Sequence, residues 1–247
     1  MPRPKKLTAP PVPSPEYQPA PPGQVSVDEI VQDIATAIIE KRLPPGTWLR
    51  EQALGRVYQV SRTKIRAALL TLSKDKLIEM IPDKGAFVSQ PGIEEARELF
   101  CVRRVLESEV VRLFVAGARE PEYQRLEQHV EFERAALRAG RTNGTVREQL
   151  LGDFHIVLAE LAGNRILAEM VREMVARSSL IAMHYHSSND PQCSSDEHEA
   201  LLRLCRQGHP EEAVAHMAAH LQRIEASLQL GQPRPARQLD LVKSLLS

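Results

Sequence analysis

Residues 60–72 read VSRTKIRAALLTL, a helix start followed by an apolar stripe. Ser61 is placed to cap a helix, its hydroxyl accepting from a backbone N–H two or three residues on. Ile65, Ala68, Leu69 and Leu72 then follow the 3, 4 and 7 spacing of a buried face. On a helical wheel Thr63, Arg66 and Ala67 point away from that stripe, with Arg62 on its flank. A free helix terminus favours acidic residues in its first turn, yet Arg62 and Lys64 stand there. The choice is poor for an isolated helix and sensible for one whose end docks on an anion.

Upstream, Ser26 and Glu29 in SVDE form a capping box, and Ile30, Ile34 and Ile38 continue it as a helical stripe. LPPGTWL (43–49) ends that helix with a turn, and a short helix over about 51–58 turns Leu54 and Val57 inward. Downstream of the Ser61 helix, which runs to about Lys76, LIEMIPDKGAFVSQ (77–90) alternates around a turn at Pro82–Gly85, the pattern of a two-stranded hairpin. Helix, helix, turn, helix and hairpin in that order predict a winged helix-turn-helix over 26–90.

From about Gly92 every segment reads as amphipathic helix, over roughly 94–117, 121–139, 145–162, 165–186, 195–207 and 210–229. The breaks fall at Pro121, RTNGT, AGN, SSNDPQCS and QGHP. Six such helices predict an all-α bundle over 93–229. Residues 1–25 are too proline-rich for a helix or a packed core and read as a disordered tail. Residues 230–247 read as a C-terminal tail. The fold class expected is mainly α, an N-terminal winged helix-turn-helix followed by a C-terminal helical bundle.

Composition agrees with two units. The chain has 247 residues and no formal net charge, but residues 27–90 carry ten basic and eight acidic side chains and 91–229 sixteen and twenty-two, with no lysine in the latter. A basic module beside an acidic one suggests different partners. No run of about 18 apolar residues is present to span a membrane, and no apolar run follows the basic N-terminus as a secretory signal would. Three cysteines without CxxC spacing suit reduced thiols in a cytoplasm.

LPPGTWLREQALGRVYQVSRTKIRAALLTL with LIEMIPDKGAFV resembles the winged helix-turn-helix of the GntR family of bacterial transcription regulators. ELFCVRRVLESEVVRL, FHIVLAELAGN and DEHEALLRLCRQGHPEEAVAHMAAHL resemble the helical effector domain, of FCD type, of its FadR-like subgroup. The resemblance covers roughly 27–228. It implies a homodimeric repressor that binds double-stranded operator DNA and responds to a small-molecule effector in the helical domain. The sequence departs from the family at Lys64, where Pro is usual, at Ala67, where Glu is usual, at Gln59, often Gly, and at Arg50, often Ser. The operator sequence therefore does not carry over.

At the DNA end, Arg62 and Arg66 offer planar forks for guanine or phosphate, and Thr63 a hydroxyl or a methyl. Lys64, Arg50 and Gln52 are candidates for backbone contacts, and Lys84 and Gly85 for bringing the wing tip to the minor groove. At the other end, His155, His198 and His220 lie in inward registers with Leu151 and Leu158, Leu201 and Cys205, and Met217 and Ile224. The resemblance implies that these three hold a divalent metal, Zn or Ni, together with an Asp four residues before the first His. Leu151 stands there instead, Asp153 falls on another face, and His216 is a substitute one turn before His220. An inward His is otherwise a hydrogen-bonded core residue.

Arg103 and Arg177 also fall on apolar registers, and a buried guanidinium needs a partner. For Arg103 that partner is either Glu107 or an effector carboxylate clasped bidentately, and Arg177 is a candidate for the same effector-binding role. His184 and His186 in MHYH either line the same cavity or belong to a loop. The rival reading is an all-α metal-dependent enzyme built on the three histidines, although no H-E-x-x-H or comparable pair appears. A third is a scaffold whose helical domain binds protein. Both leave the basic module unexplained.

Overall fold

The computed structural model describes residues 25–39, 42–138, 144–187, 191–233 and 241–246, without the side chains of 144–152, 186–187, 191–192, 231–233, 242, 243 and 246. The proline-rich segment 1–24, residues 139–143 and the side chains of Leu151 and His186 therefore lie outside the described residues.

Helix α1 (Val27–Ile39) opens as expected. The Ser26 N–H donates to Glu29 Oε2 at 2.6 Å and the Glu29 N–H to Ser26 Oγ at 3.0 Å. That reciprocal pair satisfies two of the donors a helix start leaves open. Its buried face is Ile30, Val31, Ile34, Ala37 and Ile38. Two residues of LPPGTWL form strand β1 (Trp48–Leu49). Helices α2 (Glu51–Val57) and α3 (Arg62–Lys74) follow, and Ser61 caps α3 by accepting from the Lys64 N–H. Ile65, Ala68, Leu69 and Leu72 are the buried face of α3. The tight turn places Gln59 at φ +53°, a left-handed conformation that glycine adopts without strain.

Strands β2 (Ile78–Ile81) and β3 (Gly85–Val88) form the wing hairpin, with Ile78 opposite Val88 and Ile81 opposite Gly85. The sheet has three strands, not two: β1 pairs antiparallel with β3, Trp48 opposite Phe87. A two-residue strand has no periodicity to read, and its pairing is supplied by a partner almost forty residues away.

The second unit is helical. It comprises α4 (Ile93–Gly117), α5 (Glu120–Arg138), α6 (Gly144–Leu161), α7 (Arg165–His184), α8 (Pro191–Arg206) and α9 (Pro210–Ser227). Helix α4 lies along α9 and packs on α6 and α7. Their core holds Val110, Val111, Phe114, Leu126, Phe154, Leu158, Val171, Leu201, Met217 and Leu221. Two boundaries differ from the sequence reading. Helix α7 stops at His184 because Tyr185–Ser187 becomes strand β4, paired with β5 (Leu228–Pro233). Helix α8 starts four residues early, at Pro191.

The segment read as a C-terminal tail also carries structure. Strand β5 is followed by helix α10 (Leu241–Leu246), whose Leu241 and Leu245 are buried in the core of the first unit. Arg42 Nη1 donates to the carbonyls of Ser244 and Leu245, at 2.9 and 3.2 Å, and so closes the C-terminal end of α10. Leu180 of α7 joins the same core. Among the described residues no helix is long and apolar enough to cross a membrane.

Candidate functional site

Two constellations stand apart in the molecule, one exposed and one buried. The exposed one is the N-terminal half of α3. Arg62, Thr63 and Arg66 are solvent-exposed there and Lys64 is half-buried. Arg50, Gln52, Lys84 and Gly85 are also exposed, on the loop before α2, on α2 and at the wing turn. Two of these arginines have partners that periodicity does not reveal. Arg66 Nε and Nη2 donate to the two carboxylate oxygens of Glu51 at 2.9 and 3.1 Å. The Arg50 guanidinium lies 4.3 Å from the Trp48 ring centroid, and Trp48 stacks on Phe87 at 6.0 Å. Gly85 is held at φ +102°, and a Cβ there would stand 3.1 Å from Trp48 Nε1. The wing turn thus needs glycine for its backbone and for the indole beside it.

The buried constellation sits where five helices meet. His155 comes from α6, His198 from α8 and His220 from α9, and each is at most 3% exposed. Their Nε2 atoms converge: His198 to His220 at 3.3 Å and His220 to His155 at 3.4 Å. Each Nδ1 faces a carboxylate. Glu107 of α4 lies 2.6 Å from His155 Nδ1, both oxygens of Glu133 of α5 lie 3.0 Å from His198 Nδ1, and Glu197 of α8 lies 2.5 Å from His220 Nδ1. Phe154 stacks on the His198 ring at 3.8 Å between centroids and fixes its plane.

The electrostatics assign the protons. Burial raises the Glu107 carboxyl, but the Arg103 guanidinium and His155 outweigh it and hold it down at about 2. Glu133 is likewise brought to about 2 by His129 and His198 against burial, and Glu197 to about 2 by His220 and Arg223. Burial lowers His155 and His198 despite their carboxylates, and brings His220 to about 4. At neutral pH the carboxylates are therefore ionised and the imidazoles neutral. Each Nδ1–H donates outward, so each Nε2 turns a lone pair toward the common centre.

Three converging lone pairs in a dry pocket repel one another unless a cation sits between them. Three nitrogens held about 2.0–2.1 Å from a tetrahedral ion stand about 3.3–3.4 Å apart, the spacing of the two closest pairs here. The donor set thus fits a borderline divalent ion such as Zn or Ni. The carboxylates behind the rings orient them and raise their basicity. Among the described residues these three are the one group able to hold a metal.

Other candidates fall elsewhere. His216 Nε2 lies 2.9 Å from the Glu197 carbonyl, outside the cluster. Asp153 is not in the cluster either, and burial pushes its carboxyl up. Arg103 is 4% exposed, with Nε donating to Glu107 at 2.7 Å and Nη1 to Ser178 Oγ at 3.0 Å. The nearer of its two expected partners is therefore Glu107, and only its Nη2 is buried without an acceptor. Arg177 Nη2 donates to Glu95 at 2.8 Å, with Glu173 at 3.6 Å, so its guanidinium pairs away from the imidazoles. His184 packs edge-on against Tyr185, 4.8 Å between centroids.

Sequence reading missed Glu133, Glu197 and Glu51, and saw Glu107 only as a partner for Arg103. One signal was available: Glu133 sits on the apolar register of Leu126 and Val130, where an unpaired carboxylate has no place.

Comparison with known proteins agrees with this division. The sequence model of the FCD domain matches residues 98–223, and that of the bacterial regulatory proteins, gntR family, matches residues 26–88. The HTH-type transcriptional repressor RspR of Escherichia coli (strain K12) is 22% identical over 208 residues, covering 84% of this chain and 90% of that protein. The HTH-type transcriptional regulator LutR of Bacillus subtilis (strain 168) is 27% identical over 205 residues, covering 74% and 92%. A solved structure of a GntR regulator from Rhodococcus sp. RHA1 superposes with a TM-score of 0.71 at 22% identity, covering 81% of this chain and 95% of that one.

Proposed function

The chain belongs to the gntR family of bacterial regulatory proteins and carries an FCD domain, and on that premise we propose that it is a ligand-responsive repressor that binds a pseudo-palindromic operator as a homodimer in the cytoplasm. It is a transcription regulator of this type, and its family and relatives are DNA-binding regulators, not enzymes. The metalloenzyme alternative finds no support among them. Repression is proposed because the E. coli relative is named a repressor.

In this reading Arg62, Thr63 and Arg66 meet base edges and phosphates, Lys64, Arg50 and Gln52 meet the backbone, and Lys84 and Gly85 bring the wing tip to the minor groove. A single small module binds weakly and with strong salt dependence, and two half-sites multiply the discrimination. The helical domain holds a divalent metal on His155, His198 and His220. The metal would supply a positive centre for an anionic effector. With Leu151 at the place of the usual carboxylate, a small carboxylate effector would restore a negative charge, and Arg103 Nη2 is a donor close behind the cluster. Metal and effector would then bind cooperatively, and their binding would reset the spacing of the two α3 helices, which is the coupling regulation requires.

The observation that carries the metal reading is the convergence of three Nε2 atoms on rings whose Nδ1 atoms each face a carboxylate. The test is metal analysis of the purified protein, with calorimetry of a panel of small mono- and dicarboxylates before and after chelation. One metal per chain and carboxylate affinity lost with the metal are expected. Protein that purifies without metal, and whose carboxylate affinity ignores chelator, would reduce the three histidines to core residues.

A further inference from the structure

Glu51 is out of place. It is a carboxylate at the first position of α2, on the side of the module proposed to meet a polyanion, where it repels phosphate. Its side chain is 27% exposed, and both oxygens are spent on Arg66, at 2.9 Å to Nε and 3.1 Å to Nη2. An arginine fork has two edges able to make paired hydrogen bonds, Nε with Nη2 and Nη1 with Nη2. Glu51 takes the first edge. The second, which carries Nη1, remains on a side chain that is 64% exposed and stands on the outward face of α3.

We propose that Glu51 is a positioning residue for operator recognition: it grips Arg66 by its inner edge and presents the outer edge, already oriented, to the acceptors of one base. The inference rests on the reading of α3 as the DNA-contacting helix. A free arginine must lose rotamer freedom when it docks, whereas a gripped one has lost it already. The carboxylate therefore weakens attraction to every phosphate and strengthens binding to one sequence. That trade raises specificity, because discrimination is a difference between two affinities.

The alternative role for Glu51 is local, an acidic first-turn residue that stabilises α2 through the helix dipole. The two roles separate in a double-mutant cycle. The probes are a duplex selected from a randomised pool by the wild-type protein and a scrambled duplex of equal length, with thermal unfolding measured in parallel. Glu51→Ala is expected to weaken binding to the selected duplex about tenfold, while binding to the scrambled duplex stays equal or tightens. Glu51→Gln, which keeps one acceptor, loses less. On an Arg66→Ala background, Glu51→Ala costs nothing further.

A Glu51→Ala protein that binds the selected duplex as tightly as wild type overturns the proposal. So does an equal loss with and without Arg66, which would mean that Glu51 acts only on α2. If Glu51→Ala unfolds below the binding temperature, the same comparison is made with Glu51→Gln. A wild-type protein that selects no duplex removes the DNA reading itself. A selected duplex bound normally by Arg66→Ala removes this inference and leaves DNA binding standing.

Discussion

The end of α3 and the imidazole cluster are both built from cationic or basic side chains held by carboxylates, yet they solve opposite problems. Arg66 and Arg50 sit in water, where desolvation is slight and one glutamate or one indole face is enough to orient them. His155, His198 and His220 sit in a dry core, where each needs its own carboxylate and two of those carboxylates need cations of their own, Arg103 behind Glu107 and Arg223 behind Glu197. An exposed site is a matter of placement, and a buried one of complete accounting.

The largest break in this comparison comes from Glu107→Ala. It removes the partner of both Arg103 and His155 and leaves a buried guanidinium uncompensated. The loss expected is about 3–5 kcal/mol, read by urea unfolding of the metal-free protein. A change no larger than that of a surface mutation would mean that water enters the cluster.

Acid should part the two regions next. His220 titrates near 4 in the folded protein against an ordinary 6.5, so unfolded chains take up its proton first as pH falls. Its contribution is fully present above about pH 6.5 and declines toward pH 4, at about 3 kcal/mol for the full shift. The depressed Glu107, Glu133 and Glu197 act in the same sense, their stabilisation present above about 4.5 and lost as pH falls toward 2. The helical domain is therefore expected to loosen before the winged module during acid titration of metal-free protein. Hydrogen exchange resolved by segment would read the order, and simultaneous loss would refute it.

The smallest effect sharpens the exposed side. Trp48→Ala removes the face under Arg50 and should cost about 0.5–1 kcal/mol of stability. Trp48→Phe should recover part of that. A loss of several kcal/mol would show that Trp48 is a core residue of the wing and not a platform.

How far each region could be read follows from the same contrast. The α3 end was legible because its contacts are local: Ser61 caps three residues on, the stripe repeats every turn, and the cations share one short segment. The three histidines were legible as inward registers, and their joint role came from resemblance. Glu133 and Glu197 were not, because their meaning depends on His198 and His220, the first 65 residues from its partner and the second 23. Glu51 and Arg66, fifteen residues apart on different helices, escaped for the same reason.

The two units, the order of the helices, the capping of α1 and α3 and the wing hairpin were all legible from the amino-acid sequence, since each rests on periodicity and turn chemistry within short segments. Long-range packing supplied the rest: that Trp48–Leu49 extends the wing sheet, that β4 and β5 pair across the end of α7, and that α10 returns to bury Leu241 and Leu245 in the first unit. These elements are too short to carry a pattern of their own. Pairing and burial against distant residues are what hold them, and those partners exist only once the chain has folded.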